Sequence, residues 1–215
     1  MIYVTGDIHG DKRRFDAAKR LRRGDTLLVC GDFGFLWEGG AKEERLLKKL
    51  GKKKYAIAFV DGAHENFSLL NQYPQGEWNG GKVHLLGGNL YHLMRGEVFT
   101  IEGKSFFTFG GGETKDRQAY QDAGKWWPEE APNMEEMRTG AQNLKQHGLK
   151  VDYILTHWPA PKMGGPERDM NALDAYFLAL SKEVEYKRWY FGCLHTDRKR
   201  TAKNYSLFQE ILPVD

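Results

Sequence analysis

The stretch VTGDIHGD at residues 4–11 decides the fold, because it sets a carboxylate and an imidazole two positions apart where an apolar strand ends. In an extended backbone, side chains at positions i and i+2 point the same way, so Asp7 and His9 can converge beyond the strand. Gly6 and Gly10 leave space for a turn and for a ligand. A metal ion fits this pattern, although Asp-x-His between glycines also occurs in ordinary turns, where the Asp caps a helix.

A second predicted strand, like the first, ends next to a carboxylate. An amphipathic helix is predicted over residues 12–23, and the apolar run at 26–30 that follows it ends in Gly31-Asp32. A strand, a helix and a strand in so few residues indicate a right-handed crossover between parallel strands. Asp32 is therefore expected beside Asp7.

A third strand end carries a histidine. A helix is predicted over residues 41–50, and the strand at 55–60 that comes after it leads to His64. Open α/β sheets bind ligands outside the carboxyl ends of their strands. Asp7, His9, Asp32 and His64 are therefore expected in one crevice.

The last third of the chain repeats this arrangement. A strand at 151–155 is followed by His157, and a strand at 187–191 is followed by Cys193-Leu194-His195. Each of these residues has an ordinary structural explanation, such as a packed thiol or a hydrogen-bonded core histidine. Their joint occurrence at successive strand ends favours a metal site.

The middle of the chain has a different pattern. Short apolar segments between residues 83 and 109, separated by glycine turns, predict an antiparallel meander and a second sheet packed on the first. A helix is predicted over residues 134–147. Trp126 and Trp127 could line a pocket, but such a pair more often anchors a loop to the core. Arg117 could bind a phosphate or pair with a neighbouring acid at the surface.

Composition limits the class of protein. A chain of 215 residues with 40% hydrophobic and 28% charged residues is expected to form one α/β domain over residues 1–215. No apolar run approaches the roughly 20 residues of a membrane span, and the first residues lack signal-peptide features. With two cysteines and a net charge of +3, we expect a cytoplasmic protein, with no membrane partner and no dedicated nucleic-acid binding.

The ordered motifs resemble those of the calcineurin-like metallophosphoesterase superfamily, and the resemblance spans nearly the whole chain. The matching blocks are, in order, Gly6-Asp7-Ile8-His9, Gly31-Asp32, Gly62-Ala63-His64-Glu65, His157 and Gly192-Cys193-Leu194-His195. The resemblance implies a four-layer αββα sandwich of two mixed β-sheets flanked by helices. It also implies a two-metal phosphoester hydrolase. Phe33-Gly34-Phe35 stands where the protein-phosphatase branch has Asp-Arg-Gly, which argues against that branch.

The resemblance also implies a role for each matching residue. Asp7, His9 and His195 resemble ligands of the first metal, and Asp32 resembles the carboxylate that bridges both metals. His157 and Cys193 would serve the second metal. His64 resembles the histidine that stabilises developing charge or protonates the leaving oxygen, so His64 and Asp32 are the expected catalytic residues. Mixed oxygen and nitrogen ligands suit Mn²⁺, with Fe or Zn as alternatives, and two ions per chain are expected if the second site functions.

Two departures from the family pattern fall on the second metal. Ala63 stands where the family has a ligating Asn, and Cys193 stands where it has His. Three states follow: a two-metal enzyme with Cys193 as ligand, a one-metal enzyme of reduced rate, or an inactive protein. The first hypothesis is a metal-dependent phosphoesterase acting on mono- or diesters, with a phosphorylated small molecule, nucleotide or phosphoprotein as substrate. The rival is a binding or scaffold protein on the same fold.

Overall fold

The computed structural model describes residues 1–165 and 169–215, and it contains two mixed β-sheets flanked by helices. This confirms the predicted αββα sandwich. The first sheet has the strand order β13-β1-β2-β3-β6-β5-β4. Its strands are β1 (Ile2–Thr5), β2 (Thr26–Val29), β3 (Ala56–Phe59), β4 (Gln75–Trp78), β5 (Gly81–Gly87), β6 (Leu90–Leu93) and β13 (Leu212–Pro213).

The second sheet has six strands in the order β11-β12-β10-β9-β8-β7. Its strands are β7 (Glu97–Ile101), β8 (Lys104–Phe109), β9 (Tyr153–Thr156), β10 (Arg188–Phe191), β11 (Arg198–Lys199) and β12 (Asn204–Ser206). The strands β8, β9, β10 and β12 run parallel to one another. The carboxyl ends of β9 and β10 therefore meet at one edge of this sheet.

Six α-helices accompany the sheets within the described residues. They are α1 (Arg14–Ala17), α2 (Ala41–Gly51), α3 (Phe67–Leu70), α4 (Arg117–Asp122), α5 (Met134–Gln146) and α6 (Ala172–Glu183), with 3-10 turns at Ala18–Arg20 and Pro128–Glu130. The helices α5 and α6 each begin with a capping box, in which an Asn side chain and an acidic side chain satisfy the first backbone amides. No helix in the described ranges is long and apolar enough to cross a membrane.

The alternation of side chains along each strand builds three core layers. In β2, Leu27 and Val29 pack towards α1 and α2, whereas Leu28 packs between the two sheets. In β9, Leu155 packs between the sheets and Ile154 packs towards α5 and α6. Because successive strand side chains point to opposite faces, fully buried strands are apolar on both faces, and four layers of structure result.

The first predicted helix is shorter than expected. Instead of a helix over residues 12–23, α1 is followed by a 3-10 turn, and Leu21 has an extended backbone with ψ of 142°. A side chain competes with the helix here, because the Asp25 carboxylate accepts a hydrogen bond of 2.6 Å from the Arg22 backbone N–H. The buried Leu21 still packs against the first sheet.

The predicted meander is divided between the two sheets, so its assignment to one second sheet was wrong. The strands β5 and β6 join the first sheet, where β6 pairs in parallel with β3, and β7 and β8 join the second. The chain crosses between the sheets at Gly96, whose φ is +79°. A Cβ at Gly96 would lie 2.8 Å from the Gly140 Cα on α5, so only glycine allows this close crossing.

Candidate metal centre

The candidate centre lies where the carboxyl ends of five parallel strands meet. Two residues follow β1, one each follows β2, β3 and β9, and one lies beyond the end of β10. The strands β1, β2 and β3 are neighbours in the first sheet, and β9 and β10 are neighbours in the second. The side chains that the structure brings to this edge are Asp7, His9, Asp32, His64, His157 and His195.

Four of these side chains form a compact group that can hold a metal ion. Asp7, His9, Asp32 and His195 each offer one ligand atom, and the four atoms lie within 4.8 Å of one another. The Nε2 atoms of His9 and His195 are 2.9 Å apart, and the His195 Nε2 is 3.0 Å from Asp7 Oδ2. Two carboxylates and two imidazoles are a ligand set suited to Mn, Fe or Zn.

The Asp7 carboxylate supports the fit of a cation. Its side chain is fully buried, and neither oxygen accepts a hydrogen bond of normal geometry from the described residues. A buried carboxylate without hydrogen bonds is costly and rare, and a bound cation is one way to satisfy it. A Cβ at position 192 would collide with Asp7 Oδ1, so Gly192 keeps space beside the carboxylate.

Backbone strain is concentrated in the same group. His9, Asp32 and His195 have φ angles of 49°, 38° and 48°, which place non-glycine residues in the left-handed region at a cost of about 1–3 kcal/mol each. Neighbouring loops hold this conformation, because the Asp32 carbonyl accepts hydrogen bonds from the backbone amides of Ile8 and His9. Such strain clusters at functional sites, where the surrounding fold fixes an unfavourable geometry.

His157 lies on the opposite side of the two carboxylates. Its Nδ1 is 3.3 Å from Asp7 Oδ1 and 3.1 Å from the Cys30 carbonyl oxygen, and its Nε2 is 3.7 Å from Asp32 Oδ1. Burial lowers the pKa of His157, but the charges of Asp32 and Asp7 outweigh burial and raise it to about 10. His157 is outside the four-residue group, on the side expected for a second ion.

The two departures from the family pattern lie on that second side. A Cβ on Gly112 would be 3.2 Å from the His157 ring and 3.4 Å from the Ala63 Cβ, so Ala63 borders the same small space as His157 and offers no donor atom. The half-buried Cys193 packs against the core layer beneath α5 and α6. Within residues 1–165 and 169–215, Cys193 does not join the four-residue group. The residues present therefore fit one ion better than two.

His64 is held against Asp32 by two hydrogen bonds. The His64 backbone N–H donates to Asp32 Oδ1 at 2.8 Å, and its Nδ1 is 2.8 Å from Asp32 Oδ2. This hydrogen bond raises the pKa of His64 against the opposing effect of burial. Burial also raises the pKa of Asp32, but the charges of His157 and His64 outweigh it and lower that pKa. His64 therefore takes up a proton more readily than a free imidazole.

A cavity of about 460 Å³ opens beside the centre and contains residues that sequence reasoning missed. It is lined by His9 and His64 and by the aromatic side chains of Trp37 and Tyr120. The Tyr120 ring lies 5.1 Å from the His64 ring. Trp37 and Tyr120 lie in a loop and a short helix without a strand-end signature, so no spacing rule could identify them.

The tryptophan pair and Arg117 behave as structural elements. Trp127 packs on the core, donates a hydrogen bond of 2.8 Å to Ser68 Oγ, and contacts the Trp37 ring edge to face at 5.7 Å. This agrees with the expected role as an anchor. The Arg117 guanidinium lies 4.1 Å from the Trp126 ring, a contact that neither of the two alternatives for this residue, a bound phosphate or a neighbouring acid, included.

A buried ionic network supports the loop that carries His64. Asp61, two residues after the end of β3, accepts hydrogen bonds from Arg95 Nε at 3.0 Å and Nη2 at 2.5 Å, and its Oδ1 is 3.1 Å from His92 Nε2. Arg95 also pairs with Glu136 on α5 at 3.0 Å. The Asp61 carbonyl accepts the Gly111 N–H at 3.0 Å. The network thereby joins the His64 loop to the glycine loop that passes His157.

Comparisons with known proteins agree with this geometry. A family profile described as calcineurin-like phosphoesterase matches residues 1–206. A comparison with curated proteins gives no match.

Proposed function

The chain belongs to the calcineurin-like phosphoesterase family, and from this membership we propose that it hydrolyses phosphate monoesters or diesters at a centre with one complete metal site. The observation that carries the proposal is the buried Asp7 carboxylate, which accepts no hydrogen bond of normal geometry from the described residues and lies within a four-residue group that can hold a metal ion. The second site lacks the usual Asn donor because Ala63 stands there. We propose Mn²⁺ as the ion, with Fe or Zn as alternatives, since the ligands are oxygen and nitrogen atoms.

The residues of the candidate centre have separate roles in the proposed hydrolysis. Asp7, His9, Asp32 and His195 would hold the ion. A divalent cation attracts the phosphate oxygens and would also lower the pKa of a water molecule, so that hydroxide is available as the nucleophile near neutral pH. Asp32 also orients His64 through its two hydrogen bonds, so the imidazole is fixed before substrate arrives.

His64 provides the proton for the leaving oxygen in this proposal. Its Nδ1 donates to Asp32 when the ring is protonated, which leaves the Nε2–H free for the substrate oxygen. His64 lines the 460 Å³ cavity and is partly exposed there. A phosphorylated small molecule, a nucleotide or a phosphoprotein would enter by this cavity, past Trp37 and Tyr120.

The proposal is tested by metal analysis and by hydrolysis of 4-nitrophenyl phosphate and bis(4-nitrophenyl) phosphate with added Mn²⁺. We expect one tightly held ion per chain and turnover above the uncatalysed rate, which a chelator removes. Absence of turnover, in the protein as given and in a form with Ala63→Asn and Cys193→His, would contradict the proposal. A metal-free protein that retains a bound partner in pull-down experiments would favour the scaffold alternative.

His64→Gln is expected to lower kcat by about 10²-fold or more, because general acid catalysis contributes roughly 10²–10⁴. The hydrogen bond to Asp32 raises the pKa of His64, so the acid form is retained to a higher pH than in a free imidazole and is lost as pH rises further. The high-pH limb of the kcat profile should disappear in His64→Gln. If the limb stays in place, His64 does not supply the proton.

Ala63→Asn is expected to increase the number of bound ions from one towards two, because the Asn side chain restores an oxygen donor beside His157. The measurement is metal content per chain after dialysis against Mn²⁺. Ala63→Leu is the control for added volume, since leucine fills the same space without a donor atom. Equal metal content in both variants would show that the missing ligand is not what limits the second site.

A further inference from the structure

A second cavity, outside the centre, has basic residues as most of its lining. It has a volume of about 250 Å³ and lies between the loop that follows β9 and the segment that contains β11. Met163 and Gly164 complete its wall. Its four charged residues are Lys162, Arg198, Lys199 and Arg200.

Within the described part of the chain, none of the four basic side chains of this cavity forms an ion pair with a carboxylate. Asp197 is adjacent in sequence, but its carboxylate accepts hydrogen bonds from the backbone amides of residues 208–210. Four like charges around one concavity raise its electrostatic potential and favour an anion.

Neutral hydrogen-bond partners hold the Arg200 side chain in place before any ligand binds. Its Nε donates to Ser206 Oγ at 2.9 Å, and its Nη2 donates to Thr196 Oγ1 at 2.5 Å. Hydroxyl groups fix the plane of the guanidinium without cancelling its charge. A Cβ on Gly164 would be 3.1 Å from Arg200 Nη1, so this nitrogen faces the cavity wall and remains available to an oxyanion.

The backbone on the other side of the cavity is strained. Lys162 has a φ of 70°, which is unfavourable for a residue with a side chain and is held by the surrounding loop. Basic residues on an edge strand also prevent pairing with other chains, and this explains Arg198 and Lys199 on β11. It does not explain Lys162 or the fixed guanidinium of Arg200.

Both walls of the basic cavity lie close in sequence to residues of the candidate centre. Thr196, which receives the Arg200 hydrogen bond, directly follows His195, and Lys162 lies on the loop that starts at His157. We propose that this cavity is a second phosphate-binding site, which holds a phosphate of the substrate other than the one that is hydrolysed. The preferred substrates are then phosphoesters with at least two phosphate groups. The role in catalysis rests on the proposed function, whereas binding of the anion does not.

Binding is tested by calorimetric titration of the metal-free full chain with tripolyphosphate. We expect Arg200→Gln to weaken binding by about tenfold or more, since charge-assisted hydrogen bonds are lost. The exposed pair Arg198→Gln/Lys199→Gln keeps the fold and should also weaken binding. Lys145→Gln/Lys182→Gln, on α5 and α6, removes the same charge elsewhere. Equal weakening by this control pair, or no binding by the unchanged protein, would overturn the proposal.

The role of the basic cavity in substrate binding is tested with two nucleotides that differ by one phosphate group. We expect a lower KM for adenosine 3′,5′-bisphosphate than for adenosine 5′-monophosphate, and loss of this difference in Arg200→Gln but not in Lys145→Gln/Lys182→Gln. A difference that survives in Arg200→Gln would contradict a role in substrate binding. If neither nucleotide nor the aryl ester is hydrolysed, the proposed function fails, and the calorimetry still decides whether the phosphate site exists.

Discussion

Asp7→Asn is expected to remove the tightly bound ion and to lower kcat/KM for 4-nitrophenyl phosphate by about 10³-fold or more. Asp7 is the buried carboxylate whose oxygens accept no hydrogen bond in the described residues, and an amide supplies no negative charge for a cation. A bound metal contributes several kcal/mol to the stabilisation of charge in the transition state. Each 1.4 kcal/mol corresponds to about one factor of ten in rate.

The matched control is Asp11→Asn, four positions along the same loop. Asp11 forms a surface pair with Arg13 at 2.8 Å and is not part of the metal-binding group. The Asp11→Asn variant should retain both the bound ion and the kcat/KM of the unchanged protein. Asn has nearly the shape of Asp, so the Asp7 variant is expected to stay folded, which circular dichroism will check. Stoichiometric metal in Asp7→Asn would refute the assignment of Asp7 as a ligand.

Arg95→Met is expected to destabilise the protein by about 3–5 kcal/mol, because it leaves the Asp61 carboxylate buried without its cation. Arg95 and Asp61 are both almost fully buried. The exposed pair of Arg138 and Glu135 offers a control of the same type, with 63% and 72% of the side chains accessible to solvent. Arg138→Met should cost less than about 1 kcal/mol. Urea unfolding at pH 7 measures both.

The pH dependence of the stability lost in Arg95→Met shows whether the buried charge of Asp61 causes that loss. Burial raises the pKa of Asp61, but the charge of Arg95 and the hydrogen bond of His92 outweigh burial and lower that pKa. In the unchanged protein this contribution to stability is present above the ordinary pKa of an Asp and is lost as pH falls through the lower folded value. Without Arg95, burial dominates and the folded variant takes up a proton. The difference in free energy of unfolding between the unchanged protein and Arg95→Met should therefore become smaller at lower pH. A difference that does not change with pH would indicate that only packing is lost.

Much of the candidate centre could be predicted because its chemistry sits at fixed offsets from strand ends. Asp7, Asp32 and His64 lie two to five residues after strands that hydrophobic runs reveal. Trp37 and Tyr120 could not be predicted, because loop aromatics follow no spacing and their positions depend on long-range packing. The same holds for the pairing of Arg95 with Asp61, which are 34 residues apart.

The fold shows a similar division between local and long-range information. The helix at Met134–Gln146 agrees with the prediction over residues 134–147, and the capping box that begins it is a local feature of the sequence. The division of the meander at Gly96 was missed, because inner strands of both sheets are apolar and pattern alone does not say which sheet a hairpin joins. The short α1 was missed because one hydrogen bond from Arg22 to the Asp25 side chain outweighed helix periodicity.

The centre is assembled from both sheets, and His9 and His195, whose nitrogens are 2.9 Å apart, stand 186 positions apart in the chain. A ribosome makes these residues at different times. During synthesis, Asp7, His9 and Asp32 emerge long before their fourth partner, and loop closure over such a separation is slow relative to local folding. A nascent chain therefore holds only part of the four-residue group. The group is complete only after residue 195 has been synthesised and β10 has docked beside β9.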